Sequence, residues 1–310
     1  MKQVKVSAPC SSANMGSGFD VFGLALEAFH DTLSAELTDE GVTVEVTGLG
    51  ADKIPTTLEK NTAGLVAKMM LANRKIGVKI RLEKGVPLKM GLGSSGASAA
   101  ACAVALNSLL GLGFSSNDLV RIAAMGEVAA AGASHADNVA ASVLGGFTIV
   151  QTSEGSVTAV RIDPPPNLEV ALALPNVETP DNKTASARAV LPRSVGFREA
   201  VANAGNAALL VAGFHLGDVK LIGRGMTDLI VEPARKRLIP GYDLVKESAL
   251  KAGAAGVGIS GAGPAVIAVV DKNVVSTCDV AEAMKEAFLD AGVPCEACCT
   301  KPSFKGTVEV

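Results

Sequence analysis

A chain of 310 residues is long for one core and comfortable for two lobes. With 48% hydrophobic residues and a mean hydropathy of +0.36 it has the material for a large interior. Its 28 basic and 31 acidic residues leave a net charge of −3, which excludes bulk attraction to nucleic acid or to an anionic membrane. With no Trp and a single Tyr, recognition by base stacking is also disfavoured.

In chain order, Val4–Ala8 reads as a strand that begins at once, without a signal peptide, and Pro9 to Gly18 as a small-residue loop. Phe19 to Thr38 and Val42–Val46 hold further strands, Asn61 to Lys75 has helical spacing, and Val78–Leu82 returns as a strand. Ser95–Leu110 and Asn117–Ala131 predict two successive helices, the second ending at Gly132. A loop with Ser134, His135, Asp137 and Asn138 then leads through Gly145-Gly146 to a strand at Phe147–Gln151. Pro164 to Pro166 separate strands at Val157–Ile162 and Val170–Leu174, and Pro175 to Lys183 reads as a mobile segment. Helices follow near Phe197–Phe214, Val219–Leu229 and Tyr242–Ala252. Strand Gly256–Ile259 runs into a second glycine loop, Ser260 to Pro264. Strand Ala265–Val270, helix Val280–Ala291 and a strand near Cys295 come last. Interleaved strands and helices with hairpin-length gaps favour α+β over a strictly parallel sheet.

The uncharged run from Met90 to Asn117 is long enough to suggest a membrane span. It is too rich in Gly, Ser and Ala, and predicts a buried helix lying close on a sheet. Six cysteines (Cys10, Cys102, Cys278, Cys295, Cys298, Cys299) are too few for a disulfide framework, and no second Cys/His cluster completes a zinc site. They read as buried or strand thiols in a reducing cytoplasm, where the sequon Asn182-Lys183-Thr184 carries no meaning.

The most informative stretch is residues 87–98. Gly91, Gly93 and Gly96 match G-x-G-x-x-G formally, after a strand and before an alanine-rich helix. Glycines allow a tight turn, and the N–H groups and dipole of a helix N-terminus favour a polyphosphate, so the loop points to a nucleotide-using kinase. It is neither a Rossmann fingerprint, since Leu109, Leu110 and Gly111 stand where an acid should close the next strand, nor a Walker loop, since no G-K-[ST] follows. A purely structural glycine turn is the alternative.

Three stretches, Ala8 to Asp20, Gly91-Leu92-Gly93-Ser94-Ser95 and Ile259 to Pro264, occur in the order of the three motifs of the GHMP kinase superfamily, which the sequence resembles over essentially its whole length. Within it the chain looks most like the homoserine kinase family. The likeness rests on Ser12-Ala13-Asn14 with Gly18-Phe19-Asp20, Gly126-Glu127, His135 to Val139, Gly145-Gly146-Phe147, Thr184 with Arg188 to Pro192, and Glu232 to Arg235. The resemblance implies a two-lobe α+β fold: an N-terminal lobe like domain 2 of ribosomal protein S5 over residues 1–155, and a ferredoxin-like lobe over 156–310, with the boundary near residues 152–166. It also implies ATP-dependent phosphorylation of the L-homoserine hydroxyl, on the route to threonine, by a cytoplasmic enzyme that could form a homodimer.

By that resemblance Gly91, Leu92, Gly93, Ser94 and Ser95 wrap the ATP phosphates, Asn61 lies on the adenine side, and Ser95 with Glu127 binds Mg2+. Asp20 faces the substrate ammonium and Arg188 and Arg235 its carboxylate, a task that suits arginine's bidentate fork. Asn14, His135, Asn138 and Gly261 line the rest. Turn capping for Asn14 and a structural hydrogen bond for His135 are the plainer readings. Thr184 contacts either the γ-phosphate or the substrate, and Lys89 either attracts phosphate or is solvated. Related kinases place an aspartate near the reacting hydroxyl. Asn138 cannot accept a proton, so the expectation is a site without a dedicated base. The rivals are another small-molecule GHMP kinase, of mevalonate or sugar type, a non-catalytic protein of the same fold, and a Rossmann oxidoreductase.

Overall fold

A computed structural model describes residues 2–72, 74–131, 135–180 and 183–310. The expected helix stop at Gly132, Ser134 of the expected loop and Asn182 of the sequon lie outside them.

The first sheet has seven strands. β1 (Gln3–Ala13) pairs antiparallel along nearly its whole length with β2 (Phe22–Thr38), with a shift of register between Pro9 and Cys10. β3 (Val42–Gly48) lies parallel to β4 (Gly77–Lys84), and β4 pairs with the far half of β2. The near end of β2 pairs with β5 (Phe147–Ser153), which forms a hairpin with β6 (Ser156–Ile162). Helices α1 (Thr62–Met70), α2 (Ser94–Leu110) and α3 (Ser116–Ala131) follow the expected 3.6-residue pattern, and a further helix, α4 (Ala136–Leu144), stands where a loop was expected. Ala97 and Ala99 to Ala103 of α2 are all fully buried, and their short side chains let the helix lie close on β1 and β2, as expected for the uncharged run. Among the described residues no helix is long and apolar enough to cross a membrane.

The second sheet orders β10 (Cys295–Thr300), β7 (Leu168–Pro175), β9 (Val266–Asp271) and β8 (Gly256–Ile259), all antiparallel. Around it stand α5 (Lys183–Ala189), α6 (Phe197–Leu216), α7 (Val219–Gly225), α8 (Val231–Arg235), α9 (Tyr242–Lys251) and α10 (Thr277–Asp290). Strand alternation splits its side chains between two cores. Ala171, Ala173, Val266, Ala268 and Val270 pack with α9 and α10, whereas Leu168, Val170, Leu172, Ile267 and Val269 join the core of the first sheet. Phe147 of β5 stacks on Phe214 of α6, with ring centroids 3.9 Å apart. Residues 301–310 return to the first sheet: Pro302 bridges to Leu26, and β11 (Val308–Glu309) pairs with β1. Because β6 and β11 both belong to the first sheet, we propose that the lobe boundary lies at 163–167, at the far end of the 152–166 window expected from the sequence.

Four expectations need correction. β1 continues through Ala13, taking in most of the stretch expected to be a loop, because buried Ser11 and Ser12 find polar partners across the site. Asp137 and Asn138 lie in the first turn of α4, where the Asp137 carboxylate accepts from the Asn138 N–H at 2.8 Å. The helix expected over 219–229 stops at Gly225. Cys278 and Cys299, expected as thiols, are joined as a disulfide, because α10 packs on β10 and brings their Cα atoms to 5.4 Å.

Candidate active site

The loop between β4 and α2 is held from below by a buried ion pair. Lys84 at the end of β4 donates to Asp31 of β2, to the Ser94 carbonyl (2.8 Å) and to the Ser98 hydroxyl (2.9 Å). Asp31 also accepts from Ser98 (2.8 Å) and from the Gly85 and Val86 N–H groups (3.1 Å each). Helix α2 opens at Gly93, a left-handed residue with no side-chain cap. The first-turn N–H groups of a 17-residue helix are therefore available to an anion. Ser94 turns its hydroxyl to the Val86 carbonyl (3.0 Å), so toward a ligand it offers its backbone.

The two glycine loops interlock. Ser260 donates to the Gly91 carbonyl (2.8 Å), Ala265 N–H to the Met90 carbonyl (3.1 Å) and Ser11 N–H to the Leu92 carbonyl (3.1 Å). A Cβ on Gly91 would stand 2.2 Å from the Ser260 carbonyl oxygen, and one on Gly93 would stand 2.2 Å from the Ser11 hydroxyl, so neither position admits a side chain.

Ser95, the second residue of α2, donates to Glu127 Oε1 from α3. Glu127 is 1% exposed, and its Oε2 lies 3.4 Å from His135 Nδ1 with no hydrogen bond completed. Burial alone would lower the His135 pKa, but the neighbouring Glu127 carboxylate holds it above its ordinary value. His135 thus sits on Glu127. A buried carboxylate oxygen short of a partner beside a hydroxyl is a fitting donor pair for a hard divalent cation. Among the described residues no group of three His, Cys, Asp or Glu side chains could hold such an ion alone, so phosphate oxygens and water would complete its shell.

Asn138 sits beside Gly93 at the head of the loop. Its Oδ1 accepts from Ser11 (2.9 Å). The adjoining Asp137 carboxyl, sealed in the interior, is pushed up to about 6 by burial and occupied by the Asn138 N–H. On the other rim Arg188 of α5 grips Asp20 in a two-pronged pair, 2.8 and 2.9 Å. The guanidiniums of Arg188 and Arg235 lie 5.4 and 4.9 Å from the Phe19 ring centre. Arg235 is buried and donates to the Ala187 and Gly261 carbonyls (3.1 and 3.0 Å). Burial, with Arg188 nearby, lowers its pKa. Asn14, in the left-handed region, donates to the same Gly261 carbonyl (2.8 Å) and accepts from the Asp20 N–H (3.1 Å).

The structure therefore brings Asn14, Asp20, Leu92, Gly93, Ser95, Glu127, His135, Asn138, Arg188, Arg235 and Gly261 around one cleft between the lobes. Thr184 is half-buried in the first turn of α5, and Lys89 lies on the loop in a left-handed conformation. The Asn61 amide caps α1 through the Gly64 N–H (3.1 Å) and donates to the Pro55 carbonyl (2.8 Å). Sequence reasoning missed Ser11, Asp31, Lys84 and Ser98. Strand alternation held the signal for two of them. Lys84 falls in phase with buried Val78, Ile80 and Leu82, and Asp31 with Leu33 and Ala35, where a lone charge demands a partner.

Comparison with known proteins agrees with this geometry. Residues 60–146 match the model of the GHMP kinases N terminal domain and residues 208–292 that of the GHMP kinases C terminal domain. The chain is 47% identical over 288 residues to a homoserine kinase of Haloarcula marismortui, and 44% identical over 291 residues to one of Methanococcus maripaludis. Each match covers 93% of this chain and 94% of the relative. The crystal structure of homoserine kinase from Cytophaga hutchinsonii superposes with a TM-score of 0.92 at 37% identity, covering 100% of this chain and 98% of that one.

Proposed function

The chain belongs to the homoserine kinase family of the GHMP kinases, and from that premise we propose that it transfers the γ-phosphoryl group of ATP to the side-chain hydroxyl of L-homoserine. The observation that carries the substrate is Asp20 and Arg188 bound to one another beside buried Arg235. An amino-acid zwitterion can replace each partner with a matching charge: its ammonium takes Asp20 and its carboxylate takes the two guanidiniums.

The Gly91–Ser95 loop and the first turn of α2 hold the triphosphate through backbone N–H groups. Ser95 and Glu127 would hold Mg2+, which would supply positive charge to the phosphate oxygens. His135 steadies Glu127. Asn138, fixed by Ser11, presents its amide to the substrate hydroxyl and orients it without removing its proton. Arg188 reaches from the carboxylate site toward the transferred group. Phosphoryl transfer through a loose transition state needs position and positive charge more than a base, and the hydroxyl proton leaves to a phosphate oxygen or to water.

The test is turnover with Mg·ATP of L-homoserine against R-mevalonate and D-galactose, with the product identified by 31P NMR. Preference for either rival over L-homoserine refutes the reading. An amide at 138 and the paired guanidiniums argue against the rivals, which carry no ammonium to meet Asp20.

A further inference from the structure

One cation at the mouth of the phosphate loop has no role in the scheme above. Lys183 opens α5, and its ammonium donates to the carbonyls of Lys89 (2.9 Å) and Gly263. It thereby ties the first glycine loop to the second, from the same short helix that carries Thr184 and Arg188. Among the described residues no carboxylate lies within ion-pairing distance of it, and the charged groups acting on it are Arg235 from α8 and Lys89 from the loop. Two carbonyls are weak partners for an ammonium, and buried Arg235, itself donating to two carbonyls, adds a second positive charge that an anion at the head of the phosphate-binding loop would offset.

We propose that Lys183 is a further phosphate-binding residue: its ammonium exchanges the Lys89 and Gly263 carbonyls for oxygens of the transferring γ-phosphoryl group and draws α5, with Thr184 and Arg188, onto the reacting atoms. This rests on the phosphoryl-transfer reading above. Lysine acts on phosphate as a compact point charge, and charge placed on the equatorial oxygens is what a loose transition state uses. Burial, with Arg235 and Lys89 close by, lowers the Lys183 pKa to about 7, so at slightly alkaline pH the group takes up a proton when the nucleotide arrives.

The experiment compares wild type, Lys183→Met and Lys183→Arg. Binding of the non-hydrolysable analogue AMPPNP with Mg2+ is measured by calorimetry at pH 8 in buffers of different ionisation enthalpy, alongside steady-state kinetics. Lys183→Met should weaken AMPPNP and raise the ATP KM about tenfold or more, with the L-homoserine KM within about twofold of wild type. Lys183→Arg should restore binding to within about threefold and abolish the extra proton uptake, because arginine is already charged. Nucleotide binding by Lys183→Met within twofold of wild type overturns the assignment. So does equal weakening of both substrates, or undiminished proton uptake in Lys183→Arg. Should Lys183→Met fail to fold, the proton count of Lys183→Arg still decides. If wild type binds AMPPNP but leaves L-homoserine unphosphorylated, the substrate reading falls while the calorimetry judges Lys183 independently.

Discussion

Replacing Lys84 by methionine removes the cation from an ion pair sealed from water, with side chains 1% exposed for Lys84 and 0% for Asp31. Breaking one side of a buried pair costs about 3–5 kcal/mol, because the other charge is stranded. Here the stranded carboxylate keeps the Gly85 and Val86 N–H groups and the Ser98 hydroxyl, which places Lys84→Met near the lower end, at about 3 kcal/mol. Asp31→Asn strands the ammonium instead and should cost about the same. The double variant strands neither charge, keeps an acceptor for the loop N–H groups and loses mainly hydrogen bonds worth about 1 kcal/mol each. Its cost should fall about 2–3 kcal/mol short of the summed single costs, a coupling well above measurement error. Urea denaturation at pH 7 of the four proteins gives the cycle. If the double variant is as unstable as the two singles added together, the charges do not compensate one another and the account of the loop's foundation is wrong.

Three further expectations follow from the cleft. The Asp137 carboxyl ordinarily ionises near 3.8 and is pushed up to about 6 by burial, so its contribution to stability is fully present below pH 4 and lost as the pH rises through 6. At about 1.4 kcal/mol per pH unit this reaches about 3 kcal/mol, and Asp137→Asn should escape the loss. Equal change of urea midpoint between pH 4 and pH 7 in wild type and variant would contradict it. Arg235→Leu removes one of two carboxylate anchors and should raise the L-homoserine KM roughly 10- to 100-fold, from about 1.5–3 kcal/mol for a charge-assisted bond, while the ATP KM moves little; equal rises in both refute the role. Asn138→Ala should lower kcat without altering the pH profile, and the disappearance of an ionisation near neutrality would mean that a base had been removed.

Much of this was legible in the residues because glycine and helix chemistry act locally. Gly91, Gly93 and the alanine run of α2 mark a turn, an anion-accepting helix end and a helix lying close on its sheet. What stayed hidden depends on contacts between residues far apart in the chain. Ser11 and Ser12 read as loop residues until Asn138 and Ser260 stand opposite them. Lys183 looked like part of a pliable stretch until two remote carbonyls converged on it. Asn61 carries a role that its motif did not announce: its amide caps α1. The Cys278–Cys299 pairing could not be read from spacing, since it depends on how α10 settles on β10.

The returning segment at 301–310 bears on biogenesis. Ser303 and Thr307 hydrogen-bond into β2 and α4, and Val308 and Glu309 cover the outer edge of β1, so the sheet that begins with Gln3 is finished by residues synthesised after both lobes. A nascent polypeptide shorter than this presents an unpaired strand edge at Val6 and Ser7 to its surroundings. Ribosome-bound intermediates ending before Lys301 are accordingly where chaperone dependence and aggregation of this enzyme should concentrate.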